Sequence, residues 1–218
     1  MALETRISPS EPGRDCDLCP RLHSFRADNR DSNPDWFNAP VPAFGPLNAE
    51  LLIVGLAPGL KGANLTGRPF TGDYAGDLLY ATLLEFGFAK GVYDRRPDDG
   101  LRLINCRITN GVRCVPPQNK PIGQEINSCR PFLTAELASM PDLRAVLSLG
   151  LVSHNTVLAA LGEKRSSWKF THGALHRLSC GLTLADSYHC SRYNTNTGRL
   201  TEAMFSGVFA GLRKLLSR

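Results

Sequence analysis

Residues 51–77 read LLIVGLAPGLKGANLTGRPFTGDYAGD, and this stretch decides the fold. Its first four residues, Leu51 to Val54, are all apolar, which is typical of a parallel-sheet strand that is covered on both faces. Glycines and prolines crowd the residues that follow, so we expect a long loop until apolar residues return at helical spacing after Asp73. A strand, a loop and a helix in this order place polar groups at the carboxyl end of a strand, where open α/β sheets bind their ligands.

This loop is roughly three times as long as the usual connection of about 2–6 residues in α/β units. Long loops without regular structure are commonly functional, with a plain connector as the alternative. The loop is not a phosphate loop, because neither GxxxxGK[ST] nor GxGxxG occurs in it. We therefore expect a binding or catalytic loop.

Strands and helices alternate along the rest of the chain. The apolar patterns predict strands at 101–109, 143–149, 174–179 and 182–188, and helices at 75–88, 123–139, 151–161 and 200–216. Residues 28–48 are predicted to be irregular, residues 162–173 to form a polar loop, and residues 1–15 to form a flexible arm. This alternation predicts one α/β domain over residues 1–218, a three-layer α/β/α sandwich with a central, mainly parallel sheet.

Composition narrows the class of protein. The 218 residues are 42% hydrophobic and 21% charged, which is ordinary for a globular chain, and the net charge of +5 is a modest bias towards a polyanionic partner. No run of 18 apolar residues and no secretory signal appears. We expect a monomeric cytoplasmic protein without a membrane segment.

Four of the seven cysteines are candidate metal ligands. Cys16 and Cys19 form a CxxC without the βαβ surroundings of a redox motif, and Cys114 and Cys129 lie far along the chain. Four thiolates suit either tetrahedral zinc or a [4Fe–4S] cluster, and spacing alone does not separate the two. The alternative is that Cys114 and Cys129 are ordinary buried thiols. The remaining cysteines are predicted to be unligated: Cys106, Cys180 and Cys190.

Three longer motifs complete the pattern: GLAPGLKGANLTGRPFTGD from Gly55, ITNGVRCVPPQNKP from Ile108 and HCSRYNTNTGRLT from His189. Together with the four cysteines, they resemble the motifs and cluster ligands of the family 5 uracil-DNA glycosylases, the iron–sulfur UDGb type. The resemblance extends from Cys16 to Thr201. The last motif departs from the usual His-Pro-Ser, because Cys190 follows the histidine. Leu56 takes the place of a polar residue found in related families, as is usual for family 5.

The resemblance implies a DNA repair enzyme that hydrolyses the N-glycosidic bond of uracil and leaves an abasic site. Hypoxanthine, xanthine and other deaminated or modified bases are further candidate substrates. The implied cofactor is a [4Fe–4S] cluster on the four cysteines. The implied partner is double-stranded DNA, with single-stranded DNA as a further candidate, which would make the protein nucleoid-associated. Lys61 is the lysine nearest the motifs and is no obvious Schiff-base nucleophile, so we expect a monofunctional enzyme. The rival hypotheses are a non-catalytic iron–sulfur or zinc nucleic-acid-binding module of the same fold, and a small-molecule nucleoside hydrolase.

Cleavage of the N-glycosidic bond leaves positive charge on the sugar and negative charge on the departing base. The catalytic roles follow from these two charges. Asp73 is the candidate carboxylate that stabilises the sugar cation and orients or deprotonates water, although it also suits a helix N-cap. His189 is the candidate that stabilises the base anion. Asn119 is a third catalytic candidate, which supports the water or the base.

Base recognition is expected from an aromatic ring and an amide. Phe70 is the candidate for stacking on the base, and a core phenylalanine is the alternative. Asn110 and Asn119 are both candidates for reading the base edge, because an amide offers a donor and an acceptor together. Gly55 and Ala57 are predicted to line the base pocket.

Contacts to the DNA backbone and groove are assigned more loosely. For each cation assigned to such a contact, the alternative is a solvated surface charge that binds no phosphate. The predicted DNA contacts are Asn64, Arg68, Arg192, Tyr193 and Asn194, with Lys61, Lys120 and Arg199 as further candidates for phosphate contact.

Overall fold

The computed structural model describes residues 11–217. Residues 1–10, most of the arm that the sequence predicts to be flexible, lie outside the described residues. Residues 11–15 contact the body of the protein, because Arg30 donates to the carboxylate of Asp15 over 2.6 Å and to the carbonyl of Arg14 over 2.9 Å. That part of the predicted arm is therefore anchored.

A five-stranded sheet with the order β4-β1-β5-β7-β6 forms the centre of the fold. The strand β1 (Leu51–Gly55) pairs in parallel with β4 (Cys106–Asn110) and β5 (Ala145–Leu149). On the far side of β5 lies β7 (Thr183–Ser187), also parallel, and the edge strand β6 (Leu175–Arg177) runs antiparallel to it. The prediction of a mainly parallel sheet is confirmed.

Successive side chains of β1 face opposite sides of the sheet. Leu51 and Ile53 are fully buried on one side, in a core shared with α3 (Tyr74–Glu85) and α7 (Glu202–Leu216). This side contains the larger of the apolar cores, including a group of phenylalanines on α7 and around it.

The other side of the sheet carries Leu52 and Val54, which pack in a second core with α4 (Gly123–Ala138) and α5 (Leu151–Ala160). Helices therefore cover both faces, and the prediction of a three-layer α/β/α sandwich is confirmed. The continuous apolar run in β1 follows from this double burial.

The strand predicted at 101–109 is two strands in two sheets. Asn105 has a φ of +51° and interrupts the extended chain after β3 (Arg102–Leu103), which pairs with β2 (Ala89–Lys90) in a small hairpin. The Asn105 side chain also accepts from the backbone N–H of Glu50 over 2.8 Å, which holds the break in place. Asparagine adopts a positive φ more readily than most residues, and the apolar pattern does not reveal such a break.

Three α-helices found between residues 11 and 217 are not predicted from the sequence. The helix α1 (Pro20–Ser32) extends into the region predicted to be irregular, and it buries Arg26 and Asn29 beside Leu22, so apolar spacing gives no helical signal there. Two short helices interrupt predicted loops: α2 (Ala63–Thr66) and α6 (Arg192–Asn196). Between residues 11 and 217, no helix is long and apolar enough to cross a membrane.

Candidate active site and cysteine cluster

A cavity of about 360 Å³ opens at the carboxyl ends of β1 and β4. Four chain segments supply its walls: the loop after β1, the end of β4, the turn before α4 and the segment after β7. Most of the predicted catalytic and base-binding residues share this one cavity. They are Ala57, Phe70, Asp73, Asn110, Asn119 and His189.

Phe70 is held rigidly in one wall of the cavity. Its backbone has a φ of +54°, and its side chain is only 6% exposed. The hydroxyl of Tyr93 donates to the Phe70 carbonyl over 3.3 Å, while a Cβ added at Gly76 would lie 1.8 Å from that oxygen. The Phe70 ring lies 6.0 Å from the ring of His189, measured between centroids. A flat apolar face is therefore fixed before any ligand arrives.

Gly55 leaves room for two side chains that meet at the bottom of the cavity. A Cβ at this position would lie 2.3 Å from Oδ1 of Asn110 and 2.6 Å from the Phe70 ring. Asn110 is 3% exposed, and its Oδ1 makes no hydrogen bond within residues 11–217. A buried oxygen without a donor is costly, so this amide is suited to accept a hydrogen bond from a ligand N–H.

Asp73 is both a helix cap and a cavity carboxylate. Its Oδ1 accepts from the backbone N–H of Gly76 over 3.1 Å at the start of α3. Its Oδ2 lies against the loop, where a Cβ added at Gly62 would come within 2.4 Å. Burial raises the pKa of Asp73, and the charge of Asp77 raises it further. A raised pKa suits a group that takes a proton from water.

His189 is uncharged at neutral pH, because burial lowers its pKa to about 4. A neutral imidazole keeps one N–H that it can donate. The backbone is fixed through Asn194, whose amide donates to the His189 carbonyl over 2.8 Å. Asn194, predicted to contact DNA, thus uses that amide donor to position the loop.

The two candidate asparagines, Asn110 and Asn119, differ in how far they are buried. Asn110 is buried where β4 ends, whereas Asn119 is exposed, with a φ of +56°, in the 3-10 turn Pro117–Asn119. Asn119 lines the cavity from this turn. The difference in burial favours Asn110 for reading the base edge and Asn119 for a contact near the mouth. Both assignments remain predictions.

The four candidate ligand cysteines lie together beside this site. They line a small cavity between the start of α1, the segment after β4 and the middle of α4. Arg26 donates to Sγ of Cys114 over 3.1 Å, and the backbone N–H of Arg113 donates to Sγ of Cys129 over 3.3 Å. Burial raises the pKa of Cys114 to about 11 and that of Cys129 to about 12. Donors directed at sulfur are suited to thiolates that are bound to a cationic group.

The sequence model of the family described as Uracil DNA glycosylase superfamily matches residues 42–213. The chain belongs to the uracil-DNA glycosylase superfamily. The matched range includes every residue that lines the candidate active-site cavity of about 360 Å³.

Curated relatives of this superfamily resemble the chain over most of its length. A type-5 uracil-DNA glycosylase of Thermus thermophilus is 42% identical over 206 residues, which cover 92% of this chain and 93% of the relative. The type-5 enzyme of Mycobacterium bovis is 39% identical, with 92% of this chain and 78% of the relative covered. A type-4 uracil-DNA glycosylase of Pyrobaculum aerophilum is 32% identical over 69% of this chain and 63% of its own length. The resemblance to the family 5 uracil-DNA glycosylases is confirmed.

The four cysteine sulfurs are not gathered as closely as the sulfurs around a zinc ion. Among residues 11–217, one trio of possible ligand atoms lies within 4.8 Å of one another, and it consists of His154, His176 and Asp186. The sulfurs of a tetrahedral zinc site lie about 3.8 Å apart, because Zn–S bonds measure about 2.3 Å. No three of the four cysteine sulfurs are therefore as close as zinc requires.

Two neighbouring residues of α6 that are predicted to contact DNA are exposed. Tyr193 is 72% exposed, and Arg192 places its guanidinium 5.2 Å from the centre of the Tyr74 ring. Tyr74 also lines the cavity and is not among the predicted site residues. Its position directly after Asp73 was the signal that could have identified it.

Two of the residues predicted to contact DNA have buried side chains, which does not favour a contact with DNA. Arg68 is buried, and its guanidinium binds both carboxylate oxygens of Asp99 at 2.8 and 2.7 Å. Asn64 is fully buried and donates to Oδ1 of Asn38 over 2.9 Å. Both side chains stabilise the loop from inside, and their partners are too distant in sequence for the motif to reveal them. Lys61, Lys120 and Arg199 are exposed and remain predictions.

Proposed function

We propose that the chain is a monofunctional DNA glycosylase that hydrolyses the N-glycosidic bond of uracil in DNA and leaves an abasic site. One observation carries this proposal. A single cavity combines the carboxylate of Asp73, the neutral imidazole of His189, the unpaired amide oxygen of Asn110 and the ring of Phe70. The similarity to enzymes named type-5 uracil-DNA glycosylases supports uracil as the base.

The base must leave the duplex to reach this cavity. Extrusion of a nucleotide costs a few kcal/mol, which stacking and edge hydrogen bonds offset. The buried ring of Phe70 offers a stacking surface. The free Oδ1 of Asn110 accepts from the N3–H of uracil, and its amide N–H groups are left for the adjacent carbonyl oxygen.

Two groups are proposed to assist bond cleavage: a carboxylate that acts at the sugar and a neutral imidazole that acts at the departing base. The Asp73 carboxylate stabilises the positive sugar and takes a proton from the attacking water, for which its raised pKa is suited. The neutral ring of His189 donates its N–H to the O2 atom of the departing base, which becomes negative. A cationic histidine is not required, because a hydrogen bond already stabilises the developing charge.

A lyase reaction would need an amine at the sugar. Among the residues that line the cavity there is no lysine, and Lys61 lies exposed on the loop. The expected product is therefore the intact abasic strand rather than a strand broken by the enzyme.

We propose that the four cysteines hold a [4Fe–4S] cluster, which would have a structural role. The grouping of the four cysteines around one small cavity and the donors from Arg26 and Arg113 support this proposal. The cysteine site and the base cavity share Ala57, which packs against the cysteines and also lines the cavity. The group would thus support the loop after β1 without taking part in the bond cleavage.

Substrate breadth follows from the shape of the loop. Leu56 and Gly59 put no polar bulk into the cavity, whose volume of about 360 Å³ leaves room for a purine. We therefore propose hypoxanthine, xanthine and other deaminated bases as further substrates. Mismatched bases unpair more easily, so uracil opposite guanine is expected to react faster than uracil opposite adenine. Action as a monomer, use of single-stranded DNA and a cytoplasmic, nucleoid-associated location are proposed from the sequence.

The proposal is tested with labelled oligonucleotides that contain uracil, treated with alkali after incubation. Strand breaks that require both the enzyme and alkali are expected, together with no covalent adduct under borohydride. Duplexes with U·G, U·A, hypoxanthine·T and T·G pairs measure the breadth, and free deoxyuridine serves as the control for a nucleoside hydrolase. An intact oligonucleotide after alkali would favour the non-catalytic module, and efficient cleavage of deoxyuridine alone would favour the nucleoside hydrolase.

A further inference from the structure

The segment that carries His189 lies beyond the end of the sheet. The strand β7 ends at Ser187, so Tyr188 and His189 are outside the strand ladder. His189 also lies against the start of α5, because a Cβ added at Gly150 would be 3.7 Å from Cβ of His189. A donor to a departing base is effective when its position is fixed before the reaction. The groups that fix the backbone of this segment therefore bear on the proposed cleavage.

The side chain of His172 holds the residue that precedes His189. Its Nδ1 accepts from the backbone N–H of Tyr188 over 3.1 Å, and the two rings stack with centroids 4.9 Å apart and an interplanar angle of 12°. Burial lowers the pKa of His172, so the ring is neutral at neutral pH and Nδ1 keeps the lone pair that accepts. The His172 side chain thus replaces the backbone acceptor that a longer strand ladder would supply.

The backbone on either side of His172 is fixed to β7. The N–H of Thr171 donates to the carboxylate of Asp186 over 3.2 Å, and the N–H of Gly173 donates to the Asp186 carbonyl over 2.8 Å. This carboxylate is fully buried, and its other oxygen lies 2.7 Å from Nδ1 of His154. The imidazole of His172 is therefore presented from a fixed backbone, which allows it to position a neighbour.

Two further side chains hold the same segment. The hydroxyl of Ser187 donates to the carbonyl of Tyr188 over 2.9 Å, and the amide of Asn194 donates to the carbonyl of His189 over 2.8 Å. Both donors belong to the chain segment that they hold. His172 reaches this segment from the loop before β6, so its hydrogen bond connects the segment to another part of the fold.

We propose that His172 is a positioning residue for uracil excision, which acts through Tyr188 to keep the ring of His189 at the departing base. This inference rests on the proposed function, because it gives His172 no role apart from that of His189. Without the acceptor, the Tyr188 N–H loses its partner and the segment can shift. Displacements of about 1 Å cost roughly 10²-fold in rate. DNA binding should not change, because His172 is not expected to contact the substrate.

Three variants of His172 separate the hydrogen bond from the ring. His172→Phe keeps a ring that can stack on Tyr188 but offers no acceptor, and His172→Ala removes both. His172→Asn lacks the ring but retains an acceptor, because its amide oxygen takes the place of Nδ1. His23→Phe is the matched control, since it changes an exposed histidine on α1. Unfolding midpoints measured by circular dichroism show which of the variants fold.

Two quantities are measured for each protein. The first is single-turnover release of uracil from a U·G duplex at saturating enzyme, and the second is affinity for a duplex with an uncleavable tetrahydrofuran abasic-site analogue. We expect His172→Phe and His172→Ala to slow excision by about 10- to 100-fold at unchanged affinity. His172→Asn and His23→Phe should stay near the wild-type rate. A loss of folded structure would instead lower the unfolding midpoint and the affinity together.

A double-mutant cycle shows whether His172 acts through His189. A residue that acts through another has no further effect once the second side chain is removed. H172F/H189A should therefore release uracil at the rate of H189A alone.

Wild-type rates for both His172→Phe and His172→Ala would overturn the inference. Equal slowing of the wild type and of H189A by His172→Phe would also overturn it, because His172 would then act on another group. A loss in His172→Asn as large as that in His172→Ala would assign the effect to the ring and defeat the hydrogen bond. If the wild type releases no uracil, the proposed function itself fails, whereas wild-type excision with unchanged rates in the variants defeats the positioning role alone.

Discussion

At the scale of single residues, Asp73 and His189 have pKa values that move in opposite directions for the same reason. Burial disfavours charge, so it raises the pKa of the carboxyl and lowers that of the imidazole to about 4. At neutral pH, His189 is therefore uncharged, and the raised pKa of Asp73 suits this carboxylate to take a proton from water.

These pKa shifts predict the pH dependence of excision. The single-turnover rate should be level around neutral pH and should fall on the acid side, as Asp73 is protonated through a pKa above its ordinary value of 3.8. His189 should add no inflection near its ordinary value of 6.5, because it has already lost its proton there. Rates measured across this range check both statements. An inflection near pH 6.5 that disappears in His189→Asn would show that the histidine acts as a cation.

Gly55 offers a test of the base pocket that leaves every catalytic group in place. Gly55→Ala adds a Cβ 2.3 Å from Oδ1 of Asn110 and 2.6 Å from the Phe70 ring, so one of them must shift. Displacements of about 1 Å cost roughly 10²-fold in rate, which is the loss expected in single-turnover excision. Gly123→Ala is the matched control, because its Cβ meets nothing within 4 Å. Equal rates for the two variants would contradict the assigned pocket.

At the scale of elements, the loop after β1 is stabilised from within by Arg68. Its guanidinium is paired with Asp99, whose pKa it holds well below the ordinary range, and it lies 5.3 Å from the centre of the Phe44 ring. Arg68→Ala should lower the free energy of unfolding by about 3 kcal/mol, because it leaves a buried carboxylate unpaired. Denaturant unfolding measures this change.

Arg192→Ala is the counterpart on the surface, because it removes an exposed guanidinium that lies on Tyr74. It should weaken DNA binding and leave the unfolding free energy nearly unchanged. If instead Arg68→Ala kept full stability and lost DNA affinity, the buried position of Arg68 would be wrong.

The cysteine site ties α1 to α4 and to the segment after β4. Anaerobically purified protein should be brown and contain about four iron atoms per chain. Cys114→Ser should lose iron and soluble yield, whereas Cys180→Ser, which changes an exposed cysteine, should keep both. Iron and zinc analysis of the three proteins measures the result. Stoichiometric zinc without iron in the wild type would defeat the cluster.

The elements that sequence could predict are those whose burial is apolar. The strand β1 and the helix α3 show this clearly, since both carry their apolar residues at regular spacing. By contrast, α1 buries Arg26 and Asn29, and the strand predicted at 101–109 breaks at Asn105. Polar burial and positive φ depend on partners elsewhere in the fold, so local patterns do not reveal them.

At the scale of the whole molecule, the motifs predicted which residues would meet but not how deep each would lie. Asp73, Asn110 and His189 come from three segments, and parallel strands bring those segments to one edge of the sheet. Arg68 and Asn64 share the first motif and turn inwards instead.

The central claim is that this cavity hydrolyses the bond between uracil and its sugar with Asp73 as the carboxylate. The most direct measurement is release of free uracil from a U·G duplex in a single turnover, compared among the wild type, Asp73→Asn and Asp77→Asn. Asparagine caps a helix as well as aspartate does, so Asp73→Asn should fold and bind DNA while excision slows by roughly 10²–10⁴. Asp77 is paired with Arg95 outside the cavity, so Asp77→Asn should excise at nearly the wild-type rate. Wild-type excision by Asp73→Asn, or no uracil release by the wild type, would contradict the account.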